Sequence, residues 1–409
     1  MPEKSVDCFS FPDTMSYLMS LVLETPALHV PTELDQERFL DMVRRNRLTP
    51  LVAARLRTVP ERMLADNPAF RQILADQAAA VSQALRQMRV LAFLMRDFSA
   101  AKIRALSLKG PMLAIKLYGD PTMRDSRDLD ILVAPEDLTQ ACARLEAMGF
   151  TEMIDNFHKT PHRRAAQSHG GEEMHKVYIL DGICVELHWR LTFRYAQDFE
   201  SLWVRRCPRM LLGEAINCLE PTDELIYLIC HGAGHGFSRL RWLMDLYECL
   251  RPQDTDLTAL YERMRELGVA PLLLETLMLL YLMPGFQFPA ISLAMFSMTP
   301  DGDGLHLVYD HSCRRSFHEA FRLLDALYPL LRIEQEAKGM TGRRYMQLLP
   351  TVNKRKTMLS YLWAVMQPCA ADLARFDFPD QLYFLYYIVR PFYKLWRMTP
   401  FYRQDRGRK

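Results

Sequence analysis

Two aspartates stand two residues apart in the segment RDLDILV, residues 127–133, whose alternation of residue types predicts a β-strand. Side chains alternate along a strand, so Asp128 and Asp130 share one face while Leu129 and Ile131 lie on the other. At roughly 3.3 Å per residue, the two carboxylates lie about 6–7 Å apart and repel each other unless a cation is bound between them. The pair therefore predicts a site for a hard divalent cation, and the alternative is a strand edge with two solvated aspartates.

A third carboxylate stands in the segment ICVELHW, which comes after the turn-forming pair Asp181-Gly182. Here Glu186 falls on the polar face of a strand, opposite the face of Val185 and Leu187. A negative charge in the middle of a well-patterned strand has a desolvation cost, which a nearby metal ion would offset. Three carboxylates on two neighbouring strands can hold two divalent ions, the arrangement that activates an attacking oxygen and neutralises a leaving pyrophosphate.

An anion-binding feature precedes these carboxylates. The segment IRALSLKG predicts a short strand that ends at Lys109 and Gly110, and PMLAIKLYG then predicts a helix. Free backbone N–H groups at the start of that helix are suited to an anion, and Lys109 adds a point charge for phosphate. His188 shares the strand face of Glu186, where it orients a carboxylate or accepts a proton; a structural hydrogen bond from the ring is the alternative.

The elements that position these residues belong to a helix-dominated α+β chain with a small mixed sheet. Only 17 residues are Gly, and residues 33–57 predict two helices with a break at Thr49 and Pro50. One long amphipathic helix is predicted from Asn67 to about Ala101, and helical periodicity returns from Pro221 to the end. We expect three regions: a helical N-terminal region (1–88), a catalytic core (89–215) and a helical C-terminal domain with a basic tail (216–409).

The segment LKGPMLAIKLYGDPTMRDSRDLDILV resembles the signature of the nucleotidyltransferases related to DNA polymerase beta. It is more closely similar to a bacterial family of uncharacterised nucleotidyltransferases within that superfamily. The abortive-infection toxin nucleotidyltransferases share two of its motifs, the first and the third. The motifs in chain order are Leu108-Lys109-Gly110, Leu117-Tyr118, Arg124-x-Ser126-x-Asp128-x-Asp130 and Glu186-Leu187-His188-Trp189.

The resemblance implies transfer of a nucleoside monophosphate from an NTP, such as ATP, to an acceptor with release of pyrophosphate. It implies that Mg²⁺ or Mn²⁺ is bound by three catalytic residues, Asp128, Asp130 and Glu186. It further implies contacts to the nucleotide from Lys109, Gly110, Ser126 and, in support, Arg124. The acceptor stays open between an RNA end, a peptide, a sugar and a small metabolite.

Two residues depart from the pattern of the wider superfamily. Pro111 comes after the motif glycine where Gly or Ser is usual, and it lacks an N–H, so one phosphate donor is lost. The third carboxylate is Glu186, where many relatives have Asp, which changes its reach by one methylene but not its charge. Nucleotide orientation is therefore the part of the expected site that these departures affect most.

Other histidines have competing interpretations. His231 and His235 have the i, i+4 spacing of two zinc ligands on a helix, but glycines surround them, which favours packing between the core and the C-terminal helices. A polar segment at 150–175 contains four histidines at irregular spacing, which favours a solvated loop over a metal-binding tract. These four are His158, His162, His169 and His175.

Composition limits the class of protein. The chain has 409 residues, of which 49% are hydrophobic and 24% charged, and this composition excludes a disordered or fibrous protein. Its net charge of +2 excludes a polycationic protein that coats nucleic acid along its whole surface. Residues 390–409 contain seven basic residues and one acidic residue, a net +6, so the remainder sums to −4. This aromatic, basic tail is interpreted as the end of a core helix, as a contact with an anionic lipid surface, or as a contact with nucleic acid.

Further patterns bear on compartment and membrane association. Nine scattered cysteines without a C-x-x-C pair, and an N-terminus without a secretory signal, predict reduced thiols and a cytoplasmic protein. The uncharged stretch from Thr276 to Pro300 is interrupted by Pro284, Gly285 and Pro289, so we expect no integral membrane protein. Two alternative functions remain: a catalytically silent helical scaffold or binding protein, and a nucleotidyltransferase toxin that modifies tRNA ends.

Overall fold

The computed structural model describes most of the first 282 residues and a small part of the remaining chain. The described residues are 13–23, 30–31, 34–153, 174–192, 198–251, 255–282, 291–293, 296–301, 304–309, 382, 384–389 and 392. The basic tail at 390–409 lies outside them, apart from Phe392, as do His158, His162 and His169. None of the helices in this part of the chain is long and apolar enough to cross a membrane.

Helices form the N-terminal region. They are α1 (Asp13–Val22), α2 (Gln36–Arg45), α3 (Thr49–Leu56), α4 (Glu61–Asp66) and α5 (Pro68–Ala100). The long helix and the division of residues 33–57 into two helices are confirmed, but the break occupies residues 46–48, and the predicted break residues Thr49 and Pro50 form the first turn of α3, where proline is tolerated. Buried aromatic rings join α1, α2 and α5, with Phe39 and Phe70 at a centroid distance of 5.9 Å and Tyr17 beside both.

A seven-stranded mixed sheet forms the core, so the predicted α+β class is confirmed. Its spatial order is β3-β4-β5-β2-β1-β7-β6, with parallel pairs β2/β5 and β1/β7 and antiparallel pairs elsewhere. The strands are β1 (Ala105–Ser107), β2 (Asp128–Val133), β3 (Thr151–Glu152), β4 (His175–Leu180), β5 (Ile183–His188), β6 (Cys207–Leu211) and β7 (Glu214–Cys218). The predicted turn joins β4 to β5, with positive φ at Asp181 (49°) and Gly182 (76°).

The two faces of the sheet pack against different helices. On one face, Leu129, Ile131 and Val185 pack with apolar residues of α5 and of α7 (Leu138–Ala147). On the other face, Leu106 and Leu132 pack into a cluster with α9 (Pro221–Gly234) and α10 (Leu240–Leu250). Because side chains alternate, this second face is the one that carries Asp128 and Asp130.

Buried ion pairs and hydrogen bonds attach the C-terminal helices to the core. Glu224 of α9 is 2% exposed and is paired with Lys116 of α6 (Gly110–Tyr118) at 2.5 Å and with Arg209 of β6 at 3.3 Å. The side chain of Asn46 accepts a hydrogen bond from the Leu240 amide at 3.0 Å, which fixes the start of α10 against the N-terminal region. The other helices are α8 (Phe199–Arg205), α11 (Leu257–Glu266) and α12 (Ala270–Leu282).

The predicted helical periodicity from Pro221 to the end is wrong for residues 291–309. Three strands, β8 (Ile291–Leu293), β9 (Phe296–Asp301) and β10 (Gly304–Tyr309), form a separate antiparallel sheet. Gly302 and Asp303, residue types that favour a turn, stand between β9 and β10 in the sequence, and local pairing of the two strands overrides the helical pattern. Helix α5 continues across the expected boundary between residues 88 and 89, and β7 continues across the expected boundary between residues 215 and 216. The division into three regions stays a prediction.

Candidate active site

The predicted carboxylates stand on two neighbouring parallel strands. Asp130 of β2 lies directly beside Glu186 of β5, and Asp128 lies beside Cys184 in the same register. Burial, and then the negative charge of Asp130, raises the pKa of Asp128 above its usual range. The structure therefore brings Asp128, Asp130 and Glu186 together on one face, as the sequence pattern predicts.

Asp130 lies at the centre of this group and is 3% exposed. Its Oδ1 atom is 3.1 Å from Lys109 Nζ and 3.3 Å from His188 Nε2. Burial opposes ionisation of this carboxyl, but Lys109 and His188 outweigh it and hold the pKa of Asp130 below its usual range. Its Oδ2 atom is buried without a hydrogen-bond partner among the described residues. One oxygen of this carboxylate therefore has no hydrogen-bond donor, although buried polar atoms normally have one.

Lys109 and Gly110 connect β1 to α6. The amide of Leu108 donates to the Asp130 carbonyl at 3.0 Å, which places the next residue, Lys109, over the carboxylate. Gly110 has φ of 63°, a left-handed conformation that favours glycine, and α6 begins there without a side-chain cap. The start of α6 thus presents uncapped N–H groups near Asp128, whose carbonyl oxygen would be 3.8 Å from a Cβ at Gly110.

Lys109 is enclosed on its other side by α9. Its Nζ lies 3.4 Å from His231 Nε2 and 5.6 Å from the centre of the Tyr227 ring. Burial, and then the charge of Lys109, lowers the pKa of His231 well below its usual range, so the ring is neutral and accepts a hydrogen bond from the ammonium. His231 is thereby a packing and hydrogen-bonding residue at the junction of core and C-terminal helices.

Two histidines adjoin Glu186. His188 Nε2 lies 3.4 Å from Glu186 Oε2, and His175 Nε2 lies 3.9 Å from the same oxygen. The predicted assignment of His175 to a solvated loop is wrong, because it is the first residue of β4 and pairs with His188. Counting outward from the Asp181-Gly182 turn gives this pairing, so the hairpin signal alone could have found it.

The two rings have opposite tendencies to hold a proton. Burial lowers the pKa of His175, and the neighbouring His188 lowers it further. Burial also opposes protonation of His188, but hydrogen bonds to Asp130 and Glu186 outweigh it and raise the pKa of this ring. His188 therefore holds a proton more readily than an ordinary imidazole, whereas His175 holds one less readily.

These residues fit a divalent cation. Ligand atoms of His175, Glu186 and His188 all lie within 4.8 Å of one another, and Asp130, whose Oδ2 has no hydrogen-bond partner among the described residues, lies beside His188. Carboxylate oxygens alone suit Mg²⁺, while added imidazole nitrogens suit Mn²⁺ and heavier divalent ions. The predicted set of Asp128, Asp130 and Glu186 thus has two histidines beside it.

Arg124 and Ser126 lie in the segment that leads into β2, next to the carboxylates. Arg124 is 4% exposed, and its Nε and Nη2 atoms donate to Asp245 of α10 at 3.1 and 2.9 Å. Its Nη1 atom donates to Ser126 Oγ at 2.7 Å. All three guanidinium nitrogens are thus engaged within the protein, and Arg124 fixes the segment that enters β2. A contact from Arg124 or Ser126 to a nucleotide stays a prediction.

His235 lies away from the carboxylates. Its ring is 4.7 Å from that of His231 and stacks on Trp242 at 5.0 Å. Neither histidine belongs to a group of three or more potential metal ligands in the described part of the chain. The i, i+4 spacing that suggested zinc here places two rings in an aromatic cluster between α9 and α10.

Comparison with known proteins identifies the family of this chain. A search of curated proteins found no match. The solved structure of an antigenic nucleotidyltransferase-like protein from Paracoccidioides brasiliensis is similar over 44% of this chain and 87% of its own, at 15% identity and a TM-score of 0.28. The sequence model of the family described as "Uncharacterised nucleotidyltransferase" matches residues 32–284, which include every residue of the site. The chain therefore belongs to this family of uncharacterised nucleotidyltransferases.

Proposed function

We propose that the protein is a metal-dependent nucleotidyltransferase of the DNA polymerase beta-like superfamily, which transfers a nucleoside monophosphate from an NTP to an acceptor hydroxyl or phosphate. The observation that carries the proposal is the pair Asp130 and Glu186 on adjacent parallel strands, with a buried carboxylate oxygen left without a partner among the described residues. The uncapped start of α6 beside this pair supports a phosphate-binding role for the same edge.

The reaction forms a bond between an acceptor oxygen and the α-phosphorus, while the bond from that phosphorus to the bridging oxygen breaks and pyrophosphate leaves. Divalent ions held by Asp128, Asp130 and Glu186 would neutralise the charge on the phosphates. Burial raises the pKa of the Glu186 carboxyl, but the hydrogen bond from His188 outweighs it and the net shift is downward. Glu186 is thus a carboxylate at neutral pH, able to accept the proton of the acceptor hydroxyl.

Lys109 changes partner in this scheme. Its ammonium lies 3.1 Å from Asp130, where it supplies a positive charge to the carboxylate. Lys109, no longer needed to balance the Asp130 carboxylate when that residue holds a divalent ion, would be available to pair with a phosphate. His231, on the opposite side of the ammonium, would keep the lysine at the mouth of the site.

The acceptor is proposed only as a class: an RNA end, a peptide, a sugar or a small metabolite. The test is incubation of the protein with each α-labelled NTP, Mg²⁺ or Mn²⁺ and a cell extract, and then mass identification of the labelled product. We expect transfer by the wild type and its loss in Asp128→Asn and Asp130→Asn. Asp181→Asn is the matched control, since this aspartate stands in the turn of the same hairpin and asparagine tolerates its positive φ of 49°.

Two results would contradict the proposal. Unchanged transfer by Asp130→Asn would remove the carboxylate from the mechanism. If the wild type transfers no nucleotide, and no NTP stabilises it in the presence of Mg²⁺ or Mn²⁺, the protein is a scaffold that retains the fold, because only a working site gains stability from its ligand.

A further inference from the structure

Three arginines from two helical regions meet beside the candidate active site. Arg47 lies in the turn between α2 and α3, and Arg239 and Arg241 flank the first residue of α10. The hydrogen bond from the Leu240 amide to Asn46 Oδ1, 3.0 Å long and buried, holds this turn against the start of α10. We call Arg47, Arg239 and Arg241 the arginine cluster.

Arg241 is a buried cation without a hydrogen-bonded partner at two of its nitrogens. It is 6% exposed, and its Nε and Nη1 atoms have no hydrogen-bond partner among the described residues. The neighbouring Arg124, equally buried, has all three nitrogens engaged by Asp245 and Ser126. A buried guanidinium without such compensation is strongly destabilising, so its retention in the fold calls for a ligand that supplies the missing acceptors.

The backbone at Arg47 also has a cost. Its φ of 55° is a left-handed conformation that a non-glycine residue rarely adopts. Asn46 holds the turn through its side chain, which donates to the Met42 carbonyl and accepts from Leu240, both at 3.0 Å. The left-handed residue is an 8% exposed arginine on which the charge of Arg239, at the start of α10, acts, and strain of this kind is concentrated at functional sites.

Positive charge exceeds negative charge in this region. Two further arginines, Arg124 and Arg127, adjoin the arginine cluster. The carboxylates whose charges act on the pKa values of these arginines are Asp125, Asp128, Asp245 and, for Arg124, Asp130. Asp130 is already paired with Lys109, so five guanidiniums face the three other carboxylates, an excess of two positive charges. Burial, and then the charge of Arg124, lowers the pKa of Arg241 to about 9, which leaves it charged at neutral pH and in need of an anion.

We propose that the arginine cluster binds a polyphosphate. Guanidinium groups match the geometry of phosphate oxygens through paired hydrogen bonds, and an excess of two charges suits an anion that carries several. The start of α10, an 11-residue helix, adds the positive end of its dipole. Identification of the polyphosphate as the β- and γ-phosphates of the NTP rests on the proposed function, with Asp128 at the border between the cluster and the metal site.

The test uses tripolyphosphate as the probe, with EDTA to exclude metal, on the full-length protein. Binding is measured by calorimetry and by the shift of the melting temperature. We expect tripolyphosphate to stabilise the wild type and Arg241→Met to bind it at least about ten-fold more weakly. Arg241→Met is also expected to melt at or above the wild-type temperature without ligand, because it removes an uncompensated buried charge.

Arg265→Gln is the control for loss of one positive charge, since Arg265 is an exposed partner of Glu262 on α11. It is expected to keep the wild-type affinity for tripolyphosphate. Should Arg241→Met fail to fold, Arg239→Gln tests the same cluster at a half-buried position. Wild-type affinity in both cluster variants, or no effect of tripolyphosphate on the wild type, would overturn the proposal.

Further titrations separate the sources of the phosphates and the two proposals. If ATP competes with tripolyphosphate and AMP does not, the result supports an NTP as the ligand of the cluster. If AMP binds as tightly as ATP, the cluster recognises a single phosphate group, and the assignment to the β- and γ-phosphates is overturned. If the wild type does not bind tripolyphosphate but still transfers nucleotides, the role of the arginine cluster alone is refuted. Intact tripolyphosphate binding without any transfer refutes the proposed function alone.

Discussion

Replacement of Asp245 with asparagine is expected to destabilise the protein by about 3–5 kcal/mol, the cost of leaving a buried charge without its partner. The side chains of Arg124 and Asp245 are 2% and 1% exposed, so neither charge is solvated. Arg124 donates to Asp245 through two nitrogens, at 3.1 and 2.9 Å. Asparagine keeps one acceptor oxygen but removes the negative charge that compensates the guanidinium.

The assay is urea unfolding of a double-mutant cycle formed by Asp245→Asn, Arg124→Met and the double variant. We expect the double variant to be more stable than the sum of the single changes predicts, because neither charge is then left alone. The matched control is Arg44→Met with Asp76→Asn, a pair whose side chains are 47% and 25% exposed and which is expected to contribute about 0.2–1 kcal/mol. A cost for Asp245→Asn within that control range would refute the conclusion that Arg124 and Asp245 form a desolvated pair fixing the segment that enters β2.

Three further predictions concern metal binding, packing and pH. His175→Ala is expected to weaken Mn²⁺ binding by about 10–100-fold, measured by the EPR signal of free Mn²⁺, and unchanged binding would exclude this ring from the site. Gly232→Ala is expected to cost about 1–3 kcal/mol in unfolding experiments, since its Cβ would lie 2.4 Å from the buried ring of Phe237; a neutral effect would contradict that close approach. The hydrogen bond from Arg44 lowers the pKa of Asp76 below 3.8. The free energy of unfolding of Asp76→Asn, measured in urea, should therefore be smaller than that of the wild type at pH 7, and the difference should shrink as pH falls below 3.8. A difference that does not change with pH would contradict this prediction.

Local patterns in the sequence predict the part of the site that lies on the sheet. The alternation in RDLDILV gives the common face of Asp128 and Asp130, and the Asp181-Gly182 turn gives the strands of the hairpin. These features depend on neighbours within about ten residues, where strand period and turn chemistry decide the structure. The turn at Leu212 and Gly213, with φ of 51° and 85°, has a weaker sequence signal, and for that reason the sequence does not predict the β6–β7 hairpin.

Contacts between distant residues could not be predicted in this way. Arg124 and Asp245 are 121 positions apart, and the turn that contains Arg47 is held to α10 by the hydrogen bond between Asn46 and Leu240, which spans 194 positions. A single sequence gives the type of each residue but not which of many arginines and aspartates meet after the chain folds. For this reason the motif assigns Arg124 to the nucleotide, whereas the structure pairs it internally and leaves two nitrogens of the buried Arg241 without a hydrogen-bond partner among the described residues.

The central claim is that the protein transfers the α-phosphoryl nucleotide of an NTP by means of Asp130. The most direct measurement compares product formed from α-labelled and γ-labelled NTP with the wild type and Asp130→Asn, using the acceptor found in cell extract. We expect that the α-label enters the acceptor, that the γ-label leaves as pyrophosphate, and that Asp130→Asn gives neither. Entry of the γ-label into the acceptor would show phosphoryl rather than nucleotidyl transfer, and α-label transfer by Asp130→Asn would show that this carboxylate is dispensable; either result contradicts the claim.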